Sequence, residues 1–205
     1  MLYPIISNAT MEEQQKDAIS VYESEIAGLG GERIEKMLED ARVYNEGLFK
    51  RNSGDKTQIK EYRELLNPIK GGMMGYIEIP KIDVKLPVFH GTKEQELEKG
   101  VGHIEGSSLP VGGANTHSLL AGHRGTPEAE LFVRLGELEE GDLFTVKICG
   151  IESVYEVCAI HTIQPHDSRV LKIQQGRDLL SLITCTPYGI NTHRLVVTGE
   201  RKEAI

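Results

Sequence analysis

Asp178-Leu-Leu-Ser-Leu-Ile-Thr-Cys185 is an apolar, β-branched run that ends on a thiol, followed at once by the turn residues Thr186-Pro187-Tyr188-Gly189. A run of this kind, closed by Pro and Gly, reads as a buried strand delivering a cysteine to the mouth of a loop. The next run, His193-Arg194-Leu-Val-Val-Thr-Gly199, opens a further strand on a guanidinium. If the two strands are neighbours joined by residues 186–192, Cys185 and Arg194 face one cleft. Upstream, Ser118-Leu-Leu-Ala-Gly-His123 ends a third apolar run on an imidazole. A thiol, an imidazole and a guanidinium, each at a strand end, suit acyl transfer.

The remaining pattern divides near residue 72. Residues 1–72 read as a helical extension. Thr10-Met-Glu-Glu13 fits a capping box, and Met11, Ala18, Tyr22 and Ile26 recur near helical spacing until Gly28–Gly31 stop the run. A second helix carries Ile34, Leu38, Ala41 and Leu48 on one face, Asn52-Ser-Gly-Asp55 breaks it, and a short third helix runs through Ile59, Tyr62 and Leu66. From residue 73 to 205 the period becomes that of strands. Tyr76–Ile79, Val84–Phe89, Ser118–His123, Leu143–Cys149 and Val154–Ile163 precede the last two, with a short helix expected over Leu97–Val101 and a hairpin turn at Gly150-Ile-Glu-Ser153. Many short strands with few long helices predict a mainly β fold, a closed barrel of about eight strands behind a helical extension.

Composition narrows the function. The 205 residues suffice for one sizeable core, and a formal charge of −8 argues against nucleic acid or an anionic membrane surface as partner. No run approaches the roughly twenty apolar residues of a membrane helix. The histidines lack His-x3-His spacing and no Cys-x2-Cys occurs, so neither a metal site nor any cofactor is expected. Three cysteines cannot form a disulfide framework. Cys149 and Cys158 sit in apolar alternating runs and read as buried small hydrophobes, whereas Cys185 is flanked by Thr and Pro-Tyr-Gly. His123 titrates near neutrality when unperturbed and suits the role of acid for a leaving amine. Arg194 holds its proton, and its five donors suit it to a peptide backbone or a developing oxyanion.

Ala121-Gly-His123-Arg-Gly, Leu182-Ile-Thr-Cys185-Thr-Pro-Tyr-Gly and Asn191-Thr-His-Arg194-Leu closely resemble the signature segments of sortases, the surface transpeptidases of Gram-positive bacteria. The wording around Cys185 and Arg194 is most similar to their pilin-polymerising branch, class C, and the likeness runs from about Gly75 to Arg201. It implies a sortase β-barrel over 73–205 and a cysteine transpeptidase that cleaves a Leu-Pro-x-Thr-Gly-like sorting signal, holds the product as a thioester and passes it to a lysine of a pilin subunit. By matching position, the resemblance makes Cys185 the nucleophile, His123 the acid/base and Arg194 the transition-state partner, with Ala121, Leu182 and Thr184 lining the peptide groove. It implies pilin subunits as partners and the extracellular face of the cell membrane as location. Enzymes of this class carry a membrane anchor and a hydrophobic tail. Neither occurs here, although Met1-Leu-Tyr-Pro-Ile-Ile-Ser is similar to the segment that follows such an anchor, and the chain reads as a soluble ectodomain.

Two departures stand out. The usual Thr-Leu-x-Thr-Cys reads Ser181-Leu-Ile-Thr184-Cys185, and the Asp-Pro-aromatic triplet of the class C lid is absent between Lys50 and Gly72. With the lid region placed near 50–60, the cysteine is expected to be reachable without displacing it. Competing readings are a sortase that anchors proteins to the cell wall through a peptidoglycan amine, and a non-catalytic module that only binds the sorting signal. A papain-like hydrolase places its cysteine before its histidine in a Cys-Gly-Ser-Cys-like context, which this chain lacks.

Overall fold

Residues 3–52, 61–69, 71–126 and 129–202 are described by the computed structural model. Two helices come first, α1 (Tyr3–Gly28) and α2 (Gly31–Asn52), followed by a single 3-10 turn at Tyr62–Glu64. Eight strands then follow among the described residues: β1 (Met73–Ile79), β2 (Val84–His90), β3 (Val101–His103), β4 (Thr116–Ala121), β5 (Leu143–Ile148), β6 (Ile151–Ile163), β7 (Asp178–Thr186) and β8 (His193–Arg201). They close into a barrel in the order β1-β2-β3-β4-β7-β8-β6-β5. Closure leaves no unpaired edge, the usual hazard of an all-β sheet. Pairing is antiparallel except for β2 with β3 and β4 with β7.

The barrel is filled by one face of each strand, where Leu120, Phe144, Val146, Tyr155, Leu180, Leu182 and Val197 meet. Strands β4, β7 and β8 are apolar on the opposite face too. Leu119, Ile183 and Val196 join Ile163 in a second cluster outside the barrel, with Val170, Leu171, Ile104 and Ala121 packed against it. Covered on both sides, these strands read as continuous hydrophobic runs rather than as alternation.

Directed polar contacts hold the helices to the barrel. The Tyr22 hydroxyl, in α1, donates to the Met74 carbonyl at 2.7 Å and accepts from the Cys149 amide at 2.8 Å. On α2, Asn45 donates to the Leu109 carbonyl and accepts from its amide, at 3.0 and 2.7 Å. The Tyr62 hydroxyl lies 3.0 Å from His103 Nδ1 and accepts from the Gly91 amide. Helical and barrel side chains therefore share one core cluster. Among the described residues no helix is long and apolar enough to cross a membrane.

Several local expectations move. Thr10 lies inside α1, which begins seven residues earlier at Tyr3. The short helix is α3 (Glu94–Leu97), and Val101 belongs to a strand. The third helix is only the Tyr62–Glu64 turn, Ile59 lying outside the described residues. The β5–β6 turn falls on Cys149-Gly150, both at positive φ, so Ile151–Ser153 are already strand. Of the lid region expected near 50–60, residues 50–52 form the end of α2 and residues 53–60 lie outside the described residues.

Candidate active site

Cys185 and Arg194 face each other directly as register partners in the antiparallel pair β7–β8. Side chains opposite each other in such a pair stand roughly 5 Å apart at Cβ. Because alternate residues share a face, Cys185 lies on the side of Ile183, and Arg194 on the side of Val196. Both belong to the outer surface whose floor is the second apolar cluster.

His123 reaches the same rim along a different strand. Strands β4 and β7 run parallel and in register to the pair Ala121–Ile183. The pairing continues past the end of β4: the Gly122 amide donates to the Ile183 carbonyl at 3.0 Å, and the Thr184 hydroxyl to the Gly122 carbonyl at 2.9 Å. His123 is one residue beyond Gly122, as Cys185 is one residue beyond Thr184, so both follow directly on this last shared contact. Packing fixes the histidine from behind. Its carbonyl accepts from the Phe132 amide at 3.1 Å, and the Phe132 ring, fully buried, presses on Gly122.

The three side chains have distinct surroundings. Cys185 is half-buried and its thiol is free. His123 Nε2 lies 3.1 Å from Glu94 Oε1, the first residue of α3, a pair open enough to solvent to contribute little to stability. Arg194 Nη1 donates to the carbonyls of Asn191 and His193, folding the guanidinium back on its own loop. The other two thiols are set apart by environment. Burial pushes the Cys149 thiol up to about 11, and burial also raises Cys158, which sits at the β6 bulge beside Arg177.

The residues expected to line the groove separate. Ala121 packs on the outer cluster, on the face shared with Cys185. Leu182 points into the barrel core and is fully buried. Thr184 is also buried, its hydroxyl spent on the Gly122 carbonyl. Neither offers a side chain to the cleft. Ile183, between them, is buried in the outer cluster on the face of Cys185, as the two-residue period counted back from Cys185 requires. Glu94 carried no sequence signal, since 29 residues, including β3 and β4, separate it from His123. Tyr188 and Ile190, in the turn after Cys185, are the large apolar side chains left exposed beside the site, at 62% and 68%.

Residues 77–202 match the model of the sortase domain. Sortase D of Bacillus subtilis is 33% identical over 190 residues, 86% of this chain and 91% of that protein. Among solved structures, sortase C1 from Streptococcus agalactiae superposes with a TM-score of 0.85 at 43% identity, covering 92% of this chain and 100% of that one. Clostridium perfringens sortase C, solved with the C-terminal cell wall sorting motif, gives 0.82 at 41%, covering 92% and 99%.

Proposed function

We propose, from the premise that this chain belongs to the sortase family and is a cysteine transpeptidase most similar to class C, that Cys185 is its nucleophile and a pilin lysine its acceptor. One observation supports the reading: Cys185 and Arg194 are cross-strand partners on the outer face, and the in-register β4–β7 pair Ala121–Ile183 lies two residues before His123 and two before Cys185. The Cys185 sulfur, its proton passed to His123, attacks the threonine carbonyl of a Leu-Pro-x-Thr-Gly-like sorting signal, and Arg194 donors meet the developing oxyanion. The Thr–Gly C–N bond breaks, His123 gives the departing amine its proton, and a thioester remains. A lysine amine on a second pilin subunit then attacks the thioester and yields its proton to His123. An isopeptide bond forms as the C–S bond breaks, and the thiol is restored.

The outer cluster supplies an apolar floor for the Leu-Pro portion of the signal, with Ala121 and Ile183 beneath it and Val170 and Leu171 at its side. In this reading residues 1–72 are an extension that braces a catalytic barrel over 73–205. Sortases work at the Gram-positive cell surface, and the extracellular face of the membrane is assigned here by membership. The test is incubation with a sorting-signal peptide and either a pilin domain or a peptidoglycan-like diamine, followed by mass spectrometry. An acyl adduct on Cys185 and an isopeptide product with the pilin are expected. An adduct resolved only by the diamine would make the enzyme a cell-wall anchor, and transfer surviving in Cys185→Ala would remove the cysteine from the mechanism.

A further inference from the structure

We infer that Arg124 is a positioning residue for Cys185, a clasp that ties the peptide just after the cysteine to the turn that carries His123. The inference rests on the reading of Cys185 as nucleophile. Backbone pairing between the two active strands ends at Gly122–Ile183, and the last side-chain tie from β7 is Thr184 on the Gly122 carbonyl. All of these contacts precede the sulfur. Beyond them the chain after His123 turns away toward Phe132, and β7, past Cys185, keeps only Thr186, paired with His193 of β8, before the 187–192 loop.

Arg124 spans that gap. Its Nη1 donates to the Thr186 hydroxyl at 2.6 Å and approaches the Cys185 carbonyl at 3.4 Å. The first is a short charge-assisted hydrogen bond, the second a longer one to the residue that bears the thiol. The same turn runs close to the loop at Gly125, where an added Cβ would lie 3.6 Å from Tyr188 Cε2. The guanidinium is half-buried, and its Nε is enclosed with no hydrogen-bond partner among the described residues. A cation with one donor left unsatisfied is a poor device for stability alone, because the desolvation cost is incompletely returned. Held there, it fixes the direction in which β7 leaves the barrel, and with it the rotation of Cys185 toward His123 and Arg194. Preorganisation of this sort acts on the chemical step more than on peptide affinity.

The experiment compares Arg124→Met, Arg124→Lys, Thr186→Val and the double variant Arg124→Met/Thr186→Val with the parent and with Cys185→Ala. Sorting-peptide cleavage and amide hydrogen exchange over residues 186–192 are the readouts. Arg124→Met is expected to lower kcat about tenfold or more with KM changed by less than about twofold, and to quicken exchange in the loop by a similar factor. Arg124→Lys keeps a donor for Thr186 and recovers part of both. Thr186→Val alone lowers kcat without removing a charge, so it tests the clasp even if Arg124→Met folds poorly. The double variant is no slower than Arg124→Met, because both changes break one link. Parental kcat and exchange in Arg124→Met, or losses that multiply in the double variant, would overturn the clasp while an inactive Cys185→Ala left the nucleophile standing. If the parent does not cleave, or Cys185→Ala still does, the transpeptidase reading fails, and loop exchange alone then decides the clasp.

Discussion

Replacing Gly122 by alanine should disturb the histidine without touching it. A methyl group built on Gly122 would stand 2.8 Å from Phe132 Cδ2 and 3.0 Å from Cε2. Ordinary contact begins near 3.4 Å, so the ring must retreat by about half an ångström. Gly122 is outside the left-handed region, so alanine meets no backbone penalty and the cost is packing alone. Phe132 is fully buried, and its own amide holds the His123 carbonyl, so displacing the ring pulls on the histidine backbone. Overpacking of this kind costs roughly 1–3 kcal/mol, and in a chain of this length each kcal/mol lowers Tm by about 2–4 °C. Misplacing an acid/base group by a fraction of an ångström to 1 Å costs catalysis up to about a hundredfold. Gly199→Ala is the control. Its methyl would meet Phe144 at 2.6 Å inside the barrel, on the side away from the reacting face, and should lower stability while sparing turnover per folded molecule. Thermal unfolding and single-turnover peptide cleavage give both quantities, and Phe132→Leu in the Gly122→Ala background should restore part of each. Parental cleavage by a folded, destabilised Gly122→Ala protein would refute the coupling of Phe132 to His123.

His103 is fully buried, and desolvation lowers its imidazole to about 4, from an ordinary 6.5. The unfolded chain therefore takes up a proton below pH 6.5 that the native state refuses. Stability is complete above that value and falls by up to about 3 kcal/mol as pH drops toward 4, with buried His117 acting in the same direction. Urea unfolding between pH 7.5 and 4.5 reads this slope, which should flatten in His103→Gln. Arg194→Lys should lower kcat about tenfold or more with peptide KM less affected, since a point charge cannot reproduce the planar fork; near-normal turnover in steady-state cleavage would count against Arg194 as the oxyanion partner. Tyr22→Phe strips a donor from the Met74 carbonyl and an acceptor from the Cys149 amide, both buried, and should cost roughly 2–4 kcal/mol in chemical denaturation. A loss below about 0.5 kcal/mol would mean that α1 is not held through this hydroxyl.

The barrel, and the strand ends at which His123, Cys185 and Arg194 sit, were legible because their signals are local. Each of His123, Cys185 and Arg194 ends or begins an apolar run, and runs of that length bounded by Gly and Pro leave little choice but strand. Facing was harder. On β7 Leu179, Leu180, Leu182 and Ile183 are all apolar because both sides are covered, so apolar character alone does not separate Ile183 from Leu182; counting by twos from Cys185 does, and the packing agrees. The Thr10-Met-Glu-Glu13 segment carries a capping pattern yet lies within a longer helix, because a capping box marks a competent start without obliging one. Strand β3 is three residues long, too short to show a period beside the helix-like Glu94–Leu97. The Arg124–Thr186 link joins residues sixty-two apart in the chain, and nothing short of a three-dimensional structure brings them together.

The parallel pairing of β4 with β7 has a further consequence for how such proteins diversify. Parallel neighbours require a long crossover, which here carries β5, β6 and the 164–177 stretch bearing Val170 and Leu171. Imidazole and sulfur are both counted from one end of an aligned strand pair, so the length of that excursion does not enter their spacing. On the proposed mechanism, grafting a foreign crossover tip from a relative would exchange the Val170–Leu171 side of the outer cluster while leaving His123 and Cys185 in place. On that mechanism, ligand preference and chemical competence reside on separate pieces of the chain, and one can drift while the other is held.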